Sequence, residues 1–445
     1  MGVVESRWAP RSSKSVAGRY ASRGGFDSHS LPLLFIINQH PMNQIESEAK
    51  NPFKTEIVTH LVEEILEIDH YILGDTKDDF LIRFIGKLTR PSEDAHDYLV
   101  TSLTSYQITP WFRAVEDKIE VTLRKTISRA KLPNRRINYL LFLVTFVSIL
   151  FAGIITVYDG PQTANIGLIW AYSKLHLGEA FAFSISLLSI LTAHEFGHYF
   201  AARFHKTKVT LPFFIPFPLS PFGTMGAFIQ LLEPPKNKKV LLDIGLAGPL
   251  AGLIVTIPVL IIGLSLSVVE EIPVLLPENF SFEGNSLFYL GMKFLIHGAW
   301  LPEPTSFNGI APFFYWVRYF FTGHPLPNGG LDVIIHPVAW AGWAGLLVTS
   351  LNLIPAGQFD GGHLIYSLYG KRLKWLRPLI LAILVILGFL WSGWWLWAFM
   401  ILLVGNRYAE PLDEITDLDP NRRILAWIGL VIFFLIFMPV PLITI

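Results

Sequence analysis

Apolar runs long enough to cross a bilayer constrain this chain more than any other feature. "NYLLFLVTFVSILFAGIITVY", starting at Asn138, has no charged residue. It is about twenty residues long, the length a membrane helix needs. Further runs lie at about 178–204, 241–269, 335–355, 376–391, 393–405 and 424–440. The run at 393–405 is short and is expected to pair tightly with its predecessor through "LWSGWW". The chain is 52% hydrophobic and 16% charged, against roughly 25% charged in a soluble domain. Its 13 Trp and 34 Phe suit lipid-facing surfaces and interfacial belts. Formal net charge is zero, so no nucleic-acid partner is expected. There is no cysteine, so any transition metal must be held by His and carboxylates.

The charges order the runs. Lys131, Arg135 and Arg136 precede the first run; Arg203, Lys206 and Lys208 follow the second. Lys236, Lys238 and Lys239 precede the third. Lys371, Arg372, Lys374 and Arg377 lie between the fourth and fifth; Arg407, Arg422 and Arg423 lie between the sixth and seventh. The loop 270–330 instead carries Glu270, Glu271, Glu278 and Glu283. All the basic clusters fall on one side if the region before the first run is cytoplasmic.

That region divides in two. Residues 1–41, with "RWAPRSSKSVAGRYASRGG", are basic, Ser-rich and poor in acids. They read as a transit-type leader or, preferably, as a disordered upstream extension with Met42 as the start. Residues 42–132 read as a small soluble α+β domain. "EIVTHLVEEILEI" has helical spacing, as do Tyr98, Leu99, Leu103 and Tyr106 in the segment running on to "QITPWFRA". "YILG", "FLIRFIGKL" and "DKIEVTLRK" read as strands.

Inside the second run stands His194-Glu195-Phe196-Gly197-His198, the pattern H-E-x-x-H. Four apart on a helix, the two imidazoles share a face and can reach one metal ion, with Glu195 beside it. Glu195 can then take a proton from an activated water. A chance match arises in about one or two such chains per hundred. A carboxylate in a membrane span is expensive, about 2.5–3.5 kcal/mol, so the position argues for function. A third ligand is expected on another apolar segment. "NLIPAGQFDGGH" offers Asp360 and His363, near a break made by Pro355 and paired glycines. Spacing does not choose between them.

"PFGTMGAFIQL", Pro221 to Leu231, suits an extended hairpin, with Gly223 and Gly226 at its turns. A hairpin edge at membrane depth is tolerable only beside a cavity or a bound strand, and an extended substrate could add to it. "AGPLAGL" sets Gly248 and Gly252 four apart, which suits close helix packing. His297, His324 and His336 read as surface or interfacial residues.

"HEFGHYFAAR", "GTMGAFI", "AGPLAG" and "HPVAWAGWAGLLVTSLNLIPAGQFDGGH" together resemble the site-2 protease family of zinc intramembrane metalloproteases, over roughly residues 135–420. The resemblance implies one zinc ion held by His194, His198 and Asp360, with Glu195 as general base. It implies that Asn352 orients substrate or the oxyanion. It makes the hairpin a re-entrant substrate clamp, with Gly223, Thr224 and Gly226 as candidate substrate contacts. The partners implied are a transmembrane substrate protein and the lipid bilayer. The loop 270–330 lacks a PDZ pattern, so the likeness is to the plastid and bacterial subgroup with a soluble N-terminal domain. The expected fold is an α-helical polytopic membrane protein of six or seven transmembrane helices with a re-entrant β-hairpin. Residues 133–445 form its membrane domain, behind the soluble one. A bacterial cytoplasmic membrane is expected, with a plastid membrane the alternative. Rival readings are a membrane zinc-binding transporter, another non-protease membrane metalloprotein, or a proteolytically dead relative.

Overall fold

The computed structural model describes residues 55–75, 77–126, 133–161, 163, 165–275, 281–307, 309–324, 329–373, 375–404 and 409–444. The leader or extension expected over 1–41 lies outside them.

Residues 55–125 fold as helix α1 (Thr55–Glu63), strands β1 (Leu66–Leu73) and β2 (Ile82–Leu88), helix α2 (Ser92–Leu103), and strands β3 (Ile108–Val115) and β4 (Lys118–Lys125). The strands form one antiparallel sheet in the order β1-β2-β4-β3. Phe84, Leu99, Phe112 and Val121 are buried. "ITPWFRA", read with the preceding helix, is instead an edge strand. Gln107 adopts φ +57 and ends the helical turn. Pro110 is tolerated in β3 because that strand lies at the sheet's edge.

Helix α3 (Arg135–Thr156) is capped by Asn134, whose side chain accepts from the Arg136 amide. Helix α4 (Ile166–Ser173) passes through a 3₁₀ turn into α5 (Leu177–Phe204). A hairpin of β5 (Phe213–Pro216) and β6 (Thr224–Phe228) follows, then α6 (Lys238–Ser265). An outer segment contains β7 (Val268–Glu271), β8 (Ser281–Glu283), α7 (Leu287–His297), α8 (Pro312–Thr322) and β9 (Leu331–Ile334). The chain continues as α9 (Pro337–Asn352), α10 (Asp360–Tyr369), α11 (Leu376–Leu387), α12 (Gly393–Val404), α13 (Pro420–Ile436) and β10 (Leu442–Thr444). Strand β7 pairs with β9, and β8 with β10.

Among the described residues, three helical stretches are long and apolar enough to cross a membrane: Arg135–Thr156, Ile166–Phe204 and Lys238–Ser265. The other four expected runs form helices of 12 to 17 residues. Apolar composition does not guarantee an unbroken helix. The run at 335–355 stops at Asn352, short of Pro355. The run at 376–391 stops before Gly388. The expected tight pairing of α11 with α12 is present: Trp395 Nε1 donates to the Val385 carbonyl at 3.3 Å.

Helices α5, α6 and α9 make the centre of the core. Phe183, Leu187, Leu253, Leu260, Trp343 and Leu346 are buried in one cluster. Small residues let α6 and α9 approach closely. A Cβ on Gly263 would stand 2.2 Å from the Ala339 nitrogen, and one on Gly342 2.7 Å from Leu260 Cγ.

The hairpin runs beside α3. Asn138 Nδ2 donates to the carbonyls of Leu211 (3.0 Å) and Pro212 (2.9 Å). Ten residues further along α3, Ser148 Oγ donates to the Gly223 carbonyl at 2.6 Å. The hairpin therefore follows α3 for roughly 15 Å.

The sheet module docks on the loop ahead of α13 and on the start of α6. The Phe112 amide donates to the Leu412 carbonyl at 2.9 Å. Ser92 Oγ donates to Asp413 Oδ1 at 2.8 Å, and Lys239 Nζ to Glu93 Oε2 at 2.6 Å. The module and the helices belong to one compact unit, Thr55–Ile445. The outer segment encloses Lys293, which is fully buried. Its Nζ lies 3.7 Å from both Glu283 Oε1 and Asp332 Oδ1, and 5.0 Å from the centre of the Tyr289 ring.

Candidate metal centre

His194 and His198 sit one turn apart on α5 and face inward; both are buried, as is Glu195. Asp360 arrives from the other half of the chain. Its Oδ2 lies 3.3 Å from Nε2 of His194 and 3.3 Å from Nε2 of His198. Among the described residues, these three are the group of His, Asp and Glu able to hold a metal ion, with all ligand atoms within 4.8 Å of one another. Two imidazole nitrogens and a carboxylate oxygen suit a divalent transition metal and leave coordination positions free for water or substrate.

The supports of these ligands fit that role. His198 Nδ1 lies 2.7 Å from the Ile244 carbonyl. A carbonyl only accepts, so Nδ1 carries the hydrogen and Nε2 keeps its lone pair for the shared space. Ile244 belongs to a turn of α6 loosened by Pro249, which denies the Gly245 carbonyl its usual helical donor. Gly248 and Gly252 lie against the ligand rings. A Cβ on Gly248 would stand 2.1 Å from His198 Nε2, and one on Gly252 3.2 Å from His194 Nδ1. "AGPLAGL", read for helix packing alone, thus clears room for the two imidazoles. Nothing in its spacing names the imidazoles it faces; only a partner motif on another helix could have suggested this.

The loop from α9 to α10 delivers Asp360 by close backbone contact. Gly357 adopts φ +56. A Cβ on Gly361 would stand 2.0 Å from the Leu353 carbonyl oxygen, and one on Gly362 2.3 Å from that of Gly357. Both glycines are required for α10 to start where it does. Asp360 is then the first residue of α10. His363, the rival candidate, lies with its Cβ against Gly245 of α6, outside the ligand group.

Asn352, the last residue of α9, points into the same space. Its Nδ2 lies 3.2 Å from His194 Nε2. The hairpin reaches the site from the other side, where the Ile229 backbone N–H faces the Glu195 carboxyl. The three hairpin candidates have local roles. Gly223 adopts φ +71 and leaves no room for a Cβ, which would stand 2.4 Å from the Ser148 carbonyl oxygen. Thr224 Oγ1 donates to the Ile215 carbonyl at 2.8 Å and accepts from the Gly226 amide at 3.0 Å, bracing the hairpin. Gly226, at φ +98, has open space where a Cβ would stand. Of the other histidines, His336 caps α9, its side chain accepting from the Val338 amide.

Residues 182–391 match the model of Peptidase family M50. "Probable zinc metalloprotease EGY1, chloroplastic" of Arabidopsis thaliana is 30% identical over 273 residues, covering 59% of this chain and 43% of the relative. The rice protein of that name (Oryza sativa subsp. japonica) is 28% identical over 328 residues, covering 68% and 50%. "Probable zinc metalloprotease EGY3, chloroplastic" of Oryza sativa subsp. indica is 25% identical over 377 residues, covering 78% and 58%. The chain thus spans about half the length of the curated relatives it matches. No solved structure matches it. The stretch of the chain similar to Peptidase family M50 contains the helix of His194 and His198, the glycines of α6 and the Asp360 loop, so the elements that build this centre are the ones matched.

Proposed function

We propose that this chain is a zinc endopeptidase that hydrolyses peptide bonds within the transmembrane segments of other proteins. His194, His198 and Asp360 would hold a single zinc ion, and Glu195 would act as general base. The observation that carries the reading is the convergence of those three ligand atoms from α5 and α10 within apolar helices, with Glu195 one residue from a ligand. Bound there, zinc would polarise the scissile carbonyl and make a water acidic near neutral pH. Glu195 accepts that water's proton and returns it to the leaving amine, so one carboxylate serves as base and then as acid. Asn352, at the ligand cluster, orients substrate or the oxyanion. The hairpin, running beside α3 and ending at Glu195, presents an extended edge to an unwound substrate segment.

In this reading, residues 133–445 form a membrane domain of about six or seven spans. The shorter helices pack beside the three long ones, and β5–β6 enters as a re-entrant element. Residues 42–132 form the soluble domain on the cytoplasmic side, which is the stromal side in a plastid. The matched relatives are chloroplastic by name, and nothing among them supports the bacterial membrane first expected. A plastid membrane is therefore the proposed location.

The test is cleavage of a transmembrane reporter by protein reconstituted in vesicles. Glu195→Gln should lower turnover by about 10²–10⁴-fold while bound zinc stays near one per chain. Cleavage that survives both Glu195→Gln and chelation would exclude the mechanism.

A further inference from the structure

Helix α8, "PFFYWVRYFFT", belongs to the outer segment and takes no part in the metal centre. Its inner face is fixed. Tyr315 and Tyr319 are buried, and their rings stack at 6.4 Å. Asn285 Nδ2 donates to Tyr319 Oη at 2.6 Å. Arg318 lies over the Tyr315 ring at 5.2 Å. The outer face carries Phe313, Phe314, Val317 and Phe321 at helical spacing, and all four are exposed, the first two at 70% and 63%. An outward stripe of three Phe and a Val is not what a helix presents to water.

The depth of α8 can be read from its neighbours. Strand β7 follows α6 directly, and its partner β9 leads straight into α9, so this ribbon marks the outer ends of both helices. Trp343 lies six residues inside α9, and its Nε1 donates to the Gly284 carbonyl at 2.7 Å. A helical side chain leans toward the N-terminus of its helix, so Gly284 lies beside the first two turns of α9. Asn285, the next residue, holds Tyr319. Helix α8 consequently hangs at the level of the outermost turns of α9. Its stripe is continuous in character with apolar exposed residues of α7 (Leu287, Leu295) and α6 (Ile261, Ile262).

We propose that α8 is an interfacial helix whose partner is the bilayer itself. It lies in the leaflet opposite the sheet module, with Phe313, Phe314, Val317 and Phe321 at the boundary between headgroups and acyl chains. That boundary is where amphipathic helices bury their apolar face, about 5–10 Å deep. Trp300, half exposed next to α8 and tilted against Trp316, suits the aromatic belt of the same layer. The proposal rests on the long helices crossing a membrane and is independent of the protease chemistry.

The chain has no native cysteine, which makes the test direct. Phe314→Cys and Phe321→Cys would carry a nitroxide label in full-length protein reconstituted in phosphatidylcholine–phosphatidylglycerol vesicles. Ile262→Cys on α6 and Glu271→Cys on β7 serve as references. Collisions with oxygen and with a water-soluble nickel chelate report depth. Labels at 314 and 321 should favour oxygen over nickel several-fold, deeper than Glu271→Cys and comparable to Ile262→Cys. If they match Glu271→Cys while Ile262→Cys reads as lipid, α8 is in water and the proposal fails. Shielding of both labels from both quenchers would point to a second copy or another protein on the stripe, and also overturns it. If Ile262→Cys itself reads as water, the membrane reading falls first. A lipid-soluble carbene reagent applied to the unsubstituted protein should label residues 312–322. Label confined to the α6 peptide would contradict the proposal without any variant.

Discussion

Two places in this chain bury carboxylates among apolar helices, and they are completed in opposite ways. Around Asp360, one carboxylate and two imidazoles turn their lone pairs toward a common point, and among the described residues no Lys or Arg pairs with Asp360. Around Lys293, two carboxylates and the Tyr289 ring surround an ammonium that the chain itself supplies. The first arrangement needs a cation from outside and can keep a coordination position open for chemistry. The second has its cation tethered, so it is closed and serves the fold. Burial of charge alone therefore does not mark a reactive site here; what distinguishes the two is whether the chain neutralises the cluster itself.

The largest effect expected is at the open cluster. Asp360→Ala should reduce zinc affinity by at least about 100-fold, measured as metal per chain after dialysis against a weak chelator. Full zinc retention in that variant would remove Asp360 from the site. At the closed cluster, Lys293→Met leaves two carboxylates without their cation and should destabilise by about 3–5 kcal/mol, read from denaturant unfolding in detergent. Adding Glu283→Gln and Asp332→Asn should recover most of that loss. A neutral Lys293→Met would erase the contrast between the two clusters.

A smaller effect is expected from Gly248→Ala, which sets a methyl against His198 Nε2. Zinc affinity should fall about 10–100-fold, and the visible spectrum of the cobalt-substituted protein should change. An unaltered spectrum would return "AGPLAGL" to a packing role. The smallest concerns a third buried group, far from both clusters. His96 of α2 lies edge-on to Phe112, and burial lowers its pKa, opposed by Asp413 and Asp97 and reinforced by Lys236. The folded module thus resists protonation where the unfolded chain accepts it. Stability should fall as pH drops from about 6.5 toward the lowered folded value. Glu93, held below the ordinary carboxylate range chiefly by Lys239, adds a further loss at lower pH. Urea midpoints of wild type and His96→Phe should converge above about pH 7 and diverge below it; parallel curves would argue against His96.

What was legible in the sequence follows the range of each signal. His194, Glu195 and His198 stand within one helical turn, so local spacing sufficed. Asp360 is implied by the resemblance to the family; spacing does not separate it from His363, because the two are three residues apart and only tertiary packing turns one toward α5. In the sequence Gly248 and Gly252 read as packing residues; that they pack against the His198 and His194 rings is not legible, since a glycine does not announce what it faces. Which face of helix α8 is buried is not legible in the sequence, because it depends on Asn285 and on where Trp343 holds the segment. In the sheet module, β3 was lost to the helix before it: apolar periodicity over a few residues does not separate the end of α2 from the start of an edge strand.

Asp413 has no exposed surface, and it accepts from Ser92 Oγ, 321 positions earlier in the chain, and from the amides of Ile415 and Thr416. That bond cannot form until the chain has been made through Asp413. The sheet module emerges during synthesis well before its seat, which lies 321 positions further along from Ser92. Until then it must wait beside helices still entering the bilayer, and its docking reports that the chain has been translated through the Asp360 loop and beyond.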